Sequence, residues 1–129
     1  MSMERSIMGR EKELIDVIEK IQNDASGFIA ASLVDLESGM TLAVKSARAD
    51  FDLTAASAYN SELVKQKLKI MNTLGLHGVI EDMLITLTEQ IHLIKMVNRG
   101  TFLYLAVDRS QSNLAIVRTA VSKHAGALS

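Results

Sequence analysis

The residues of this chain that could do chemistry are few and scattered. Its three imidazoles are His77 in a GLHG connection, His92 within an apolar run and His124 close to the end. A zinc site gathers several such ligands, most simply two histidines one helical turn apart with a carboxylate nearby. No pair here has that spacing, so no metal ligand is expected. Cysteine is absent, which removes thiolate ligands, thiol nucleophiles and disulfides together and fits a reducing compartment. No glycine-rich phosphate loop, HExxH or GxSxG motif occurs. With no nucleophile–base arrangement, the expectation is a chain with no catalytic residues and no cofactor, and not an enzyme.

The most suggestive short stretch is VDRSQSNLAIVR at 107–118. Up to Asp108 it completes an alternating strand, and from Asn113 its apolar residues fall at helical spacing. Ser110, Ser112 or Asn113 can cap the helix that begins there. Leu114 and Val117 can pack, and Arg118 can bridge to a nearby carboxylate. The functional alternative is that Arg118 contacts a partner protein. Arg99 and Arg109, both placed on turns, have the same claim. His124, near a helix C-terminus, is explained by the helix dipole.

The totals limit what such residues could serve. A chain of 129 residues is one domain's worth and buries roughly two-thirds of its unfolded surface. Hydrophobic residues make up 48% and charged residues 22%, ordinary for a globular protein. The formal net charge of −1 makes no electrostatic case for nucleic acid, whose binders show a basic patch. The opening MSMERSIMGREKE mixes charges without an apolar run, so it reads as neither a secretory signal nor a membrane anchor. No window of about 18 apolar residues could span a bilayer. The expectation is a cytoplasmic protein without membrane insertion: one domain over 1–129, with 1–9 a flexible N-terminal extension.

Elements that could position the residues follow from periodicity. Residues 10–24 carry Leu14, Ile15, Val17, Ile18 and Ile21 on one side of an amphipathic helix. Two strands at 26–36 and 40–47 flank Glu37-Ser38-Gly39, where Gly39 supplies the positive φ of a hairpin loop. The first of them is apolar or small on both faces, as a strand covered on both sides requires. A long helix over 52–74 opens at Asp50 or Asp52 and closes at Gly75. Strands at 79–88, 91–99 and 101–108 form an antiparallel meander, and a helix over 112–125 ends the chain. The order is α-β-β-α-β-β-β-α, an α+β domain. Its five-stranded antiparallel sheet has the first and last helices on one face and the long helix on the other.

The long helix has more apolar surface than one sheet contact needs. At about 100° per residue, Ala56, Tyr59, Leu63, Ile70 and Leu74 form one band, and Leu53, Val64, Leu68 and Met71 form another. Asn60 and Lys67 sit between them. One band is expected on the sheet and the other on a partner helix; which is which stays open. A lysine within a monomer's core would be costly, although Lys67 could also snorkel at the edge of a wide contact. The expected interface therefore comprises Tyr59, Asn60, Leu63, Val64, Lys67, Ile70 and Met71, with Ile80, Leu84 and Thr86 from one side of the 79–88 strand. Glu62, Lys65 and Lys69, opposite the bands, join Arg118 as candidate partner contacts.

This element order, the VDLESGMTLA hairpin behind an apolar strand, and SNLAIVR opening the last helix resemble the roadblock family. The family comprises roadblock-type dynein light chains and their prokaryotic relatives, and the resemblance spans about residues 10–125. Members usually carry Asn-Leu-Gly where this chain has Ala115 after Leu114. The resemblance implies a roadblock/profilin-like fold. It also implies a homodimer whose sheets join edge to edge, with the long helices crossing the joint. It further implies a signalling role, as a non-enzymatic platform that binds and regulates a Ras-like small GTPase. The alternatives are an adaptor subunit of a larger complex and a small-ligand sensor.

Overall fold

The computed structural model describes the backbone of residues 3–128 and the side chains of residues 10–128. Helix α1 (Met3–Asp24) precedes the hairpin β1 (Phe28–Asp35) and β2 (Thr41–Ser46). Helix α2 (Leu53–Thr73) is followed by the meander β3 (Asp82–Thr86), β4 (Gln90–Asn98) and β5 (Thr101–Asp108). A 3-10 turn, Arg109–Gln111, leads into α3 (Leu114–Gly126). The expected order of elements is present. Of the expected flexible extension at 1–9, residues 1–2 lie outside the described residues; the backbone from Met3 onward belongs to α1.

The strands pair antiparallel in the order β2-β1-β5-β4-β3. β1 and β5 are apolar or small at nearly every position, and each has six consecutive buried residues. Such strands are stable only with neighbours on both edges and cover on both faces. Side chains alternate across the sheet, which divides the core in two. On one face Leu33, Leu93, Leu103, Leu105 and Val107 pack under Leu14, Ile18 and Ile21 of α1 and Val117, Val121 and Ala125 of α3. On the other, Ile29, Val34, Ile94, Phe102, Tyr104 and Ala106 pack with Leu53 and Val64 of α2.

Local chemistry sets the joints. Asp35 accepts hydrogen bonds from the Ser38 amide (3.0 Å) and hydroxyl (2.7 Å), and the hydroxyl bond above all holds its carboxyl below the usual range. Gly39 then turns the chain at φ +74°, a conformation that an L side chain resists. Asp52, not Asp50, caps α2 through the Ala55 amide at 3.0 Å, and Gly75 closes it at φ +69°. The switch from β5 to α3 is made in two steps. Asp108 accepts from the Ser110 amide (2.9 Å) to start the 3-10 turn, and Asn113 accepts from the Ile116 amide (3.2 Å) to start α3. Ser112 donates to the Ser26 carbonyl at 2.9 Å, which ties this turn to the start of β1. β3 is shorter than the expected 79–88, because Gly78 at φ +107° leaves Val79 in solvent.

Candidate interaction site

The seating of α2 defines the site. Its buried residues are Leu53, Ser57, Ser61 and Val64, four positions on one side of a helix. Two are serines, and their small side chains let the helix approach closely. Ser57 lies 2.7 Å from the Ser32 hydroxyl of β1 and donates to the Leu53 carbonyl at 2.7 Å. Ser61 donates to the Leu36 carbonyl at 2.5 Å. These bonds draw α2 over β1 and β2, the strands on which it chiefly packs. The same face of β3 and β4 is left partly open, with Met83, Ile85, His92 and Met96 half-buried. Beside this opening runs the outer flank of α2, where Tyr59 is 76% exposed, Leu74 65%, Leu63 40% and Ile70 38%.

A polar chain lies across the sheet at this opening. His92 Nε2 is 2.7 Å from Gln90 Oε1, and His92 Nδ1 is 3.3 Å from the Tyr104 hydroxyl. Since Gln90 Oε1 can only accept, Nε2 carries the proton and Nδ1 accepts from Tyr104. The imidazole stands edge-on to Tyr104 (centroids 5.4 Å apart) and to Phe51 (6.4 Å). Asn60 of α2 stands beside the Tyr104 hydroxyl and donates to the Ala56 carbonyl at 2.7 Å. Burial pushes the Tyr104 phenol up to about 12, against the opposing effect of Asn60, and burial holds His92 below the ordinary imidazole value. Both ring nitrogens of a neutral His92 are satisfied, so the arrangement favours the uncharged ring.

No family model matches the chain, and no curated protein matches its sequence. Solved structures do. Myxococcus xanthus MglB has a TM-score of 0.82 at 16% identity, over 92% of this chain and 86% of that one. A structure described as MglB with tetrameric arrangement gives 0.80 at 18% identity, over 91% and 85%. A Roadblock/LC7 domain from Streptomyces avermitilis gives 0.78 at 15% identity, over 89% and 93%. The chain has the roadblock fold.

On this roadblock sheet the candidate residues fall into three places. Tyr59, Leu63, Ile70 and the charged Lys67 lie exposed on the outer flank of α2, with Asn60 and Met71 half-buried beside them. The band left open by the sequence is thereby assigned. Leu53 and Val64 face the sheet, while the Tyr59 band faces outward. Val64 is a correction: with 0% exposure it is core, unavailable to a partner side chain. The 79–88 set also needs correcting. Leu84 and Thr86 pair with Leu93 and Ile91, on the α1/α3 face. Ile80 precedes β3 and packs with the α2-side core. The assumption of one regular strand from 79 carried the alternation through the irregular residues before Asp82.

The candidate partner contacts are not brought together. Glu62 pairs with Lys65 at 3.5 Å, and Lys65 also donates to the Glu37 carbonyl at 2.7 Å; Lys69 is exposed on the same helix. Arg118 is on the other side of the sheet, paired with Asp82 at 2.8 Å, which is the bridge its structural reading required. Arg109 donates to the Leu87 carbonyl at 3.1 Å. His124 meets Asp24 at 2.6 Å and ties α3 to α1; this pairing, besides the dipole, accounts for its position. His92 is the residue whose setting the sequence reading missed. Its signal was there: a lone imidazole in phase with Ile94 and Met96 in an otherwise apolar alternation.

Proposed function

We propose that the chain is a homodimeric, non-enzymatic roadblock-type platform that binds a Ras-like small GTPase in the cytoplasm and alters its nucleotide cycle. The observation that supports the dimer is the half-open face. The exposed apolar residues on the flank of α2 and the half-buried residues of β3 and β4 leave apolar surface that a monomer would keep wet. A second copy related by a two-fold axis presents the same flank, and the outer edge of β3 offers unpaired backbone groups for strand pairing. Tyr59, Asn60, Leu63, Lys67, Ile70 and Met71 make up the helical part of this interface. An obligate contact of this kind buries about 2,000 Å² or more.

The GTPase reading rests on the resemblance in sequence motifs together with the fold shared with MglB. The chain carries no phosphate loop, so a nucleotide cycle must come from the partner. Glu62, Lys65 and Lys69 lie on the solvent side of α2 and would tune association rate and salt dependence. The test has two arms. Sedimentation at micromolar concentration should show a dimer that Leu63→Glu with Ile70→Glu converts to a folded monomer. GTP turnover of small GTPases from the same cell should change when the protein is added. A clean monomer for the unmutated chain removes the dimer, and failure to bind any of those GTPases removes the platform.

A further inference from the structure

The chain Gln90–His92–Tyr104–Asn60 lies on the surface that the proposed second copy covers. A purely apolar patch would make a tighter contact, because each polar group sealed there needs a partner. In the neutral ring every such need is met: Nε2–H donates to Gln90, and Nδ1 accepts from the Tyr104 hydroxyl. A second proton on Nδ1 would face that hydroxyl donor. The hydroxyl hydrogen of Tyr104 would have to swing away so that its oxygen accepts instead, and a full charge would lie between Tyr104 and Phe51, whose rings stand nearly perpendicular to the imidazole.

We propose that His92 makes self-association sensitive to pH, holding the dimer near neutrality and releasing it on acidification. The proposal rests on the dimer reading and adds its regulation.

The surroundings offer an imidazolium little help. β5 contributes Tyr104, and α2 contributes the uncharged Asn60. β3 contributes Ile85 directly opposite. The segment before α2 contributes Phe51, flanked by Asp50 and Asp52, both solvent-exposed. Beyond Gln90 lie Arg48, Glu89, Asp108 and Arg109, two cations and two anions around one polar cleft. The α2 flank that a second copy brings carries Lys67, whose charge has the same sign as a protonated ring, while Glu62 beside it is paired with Lys65.

The direction of the effect follows from linkage. Burial already lowers the affinity of His92 for a proton in the single chain, and covering it with a partner lowers it further. Assembly therefore favours the neutral ring. The dimer is fully favoured above the ring's pKa in the free chain and weakens as pH falls below it toward the assembled value. With two rings per dimer, the dissociation constant rises by up to about 100-fold per pH unit inside that window.

The experiment is sedimentation of the full chain at pH values about one unit above and one unit below the His92 pKa of the dilute protein, located by NMR titration. The expected result is a dissociation constant at least about 10-fold larger at the lower pH, with the change largely abolished in His92→Gln. A monomer at the higher pH overturns the dimer reading and this inference with it. A dimer of equal affinity at both values overturns the inference alone, as does a His92→Gln dimer that keeps the full pH dependence. Should that variant fail to fold, the unmutated chain still decides the matter. Its His92 pKa must be lower in the concentrated, dimeric sample than in the dilute one, and equal values overturn the proposal.

Discussion

Under α1 and α3 the sheet is covered by two helices, and Leu33, Leu93, Leu103 and Leu105 are all buried. Under α2 the same strands meet one helix, held to one side by Ser57 and Ser61, and the face over β3 and β4 stays half-open with a histidine on it. The two faces share strands, twist and backbone bonding, so the contrast comes from the helices that cover them and the side chains that seat those helices. Leucine against isoleucine and valine closes a core by volume. Serine against serine closes one by approach, and a helix drawn over β1 and β2 covers the far side of β3 and β4 only in part. The first face completes a monomer. The second leaves apolar surface for something else to cover.

This contrast can be tested from the largest expected effect to the smallest. Leu105→Ala, on the α1/α3 face, should destabilise the chain by about 2–5 kcal/mol in chemical denaturation, through lost burial and the cavity left behind. A cost equal to that of an exposed flank residue would break the comparison, because that face would not then be a packed core. Ser57→Ala deprives the buried Ser32 hydroxyl of its partner and should cost about 1–3 kcal/mol. Adding Ser32→Ala should recover part of that loss, since no unpaired hydroxyl remains. If the double variant is no better than the single one, the serine contact is not what seats α2. Arg118→Ala removes a pair with one half-exposed member and should change stability by no more than about 1 kcal/mol, less at high salt. A larger loss would show that the α1/α3 face depends on this bridge as well as on its apolar packing.

Much of this architecture was legible before any coordinates, because the signals were local. Period-2 and period-3.6 patterns mark elements wherever one face is buried and the other wet. Gly39 and Gly75 mark turns because few other residues tolerate positive φ. The two-sided apolar character of β1 placed it inside the sheet. Where the reading went astray, the signal was not local. β3 was drawn three residues too early because nothing in VIEDM announces that the chain after Gly78 is irregular. Val64 was placed at an interface because a hydrophobic residue on a two-banded helix looks the same whichever way it faces.

The sequence by itself determined the order of elements, the pairing of neighbouring strands in each hairpin, the caps and turns, and the excess of apolar surface on the long helix. Each of these depends on residues within a few positions of one another. Only the tertiary structure decided which band of α2 meets the sheet, because that depends on Ser57 and Ser61 finding Ser32 and Leu36, 25 residues away in each case. It alone placed Arg118 against Asp82 on the face opposite α2. It alone joined Gln90, His92 and Tyr104 by hydrogen bonds and set Asn60 beside them. β4, β5 and α2 are separated in sequence and become neighbours only when the sheet closes. A polar residue in an apolar strand acquires its meaning from what the fold brings to it.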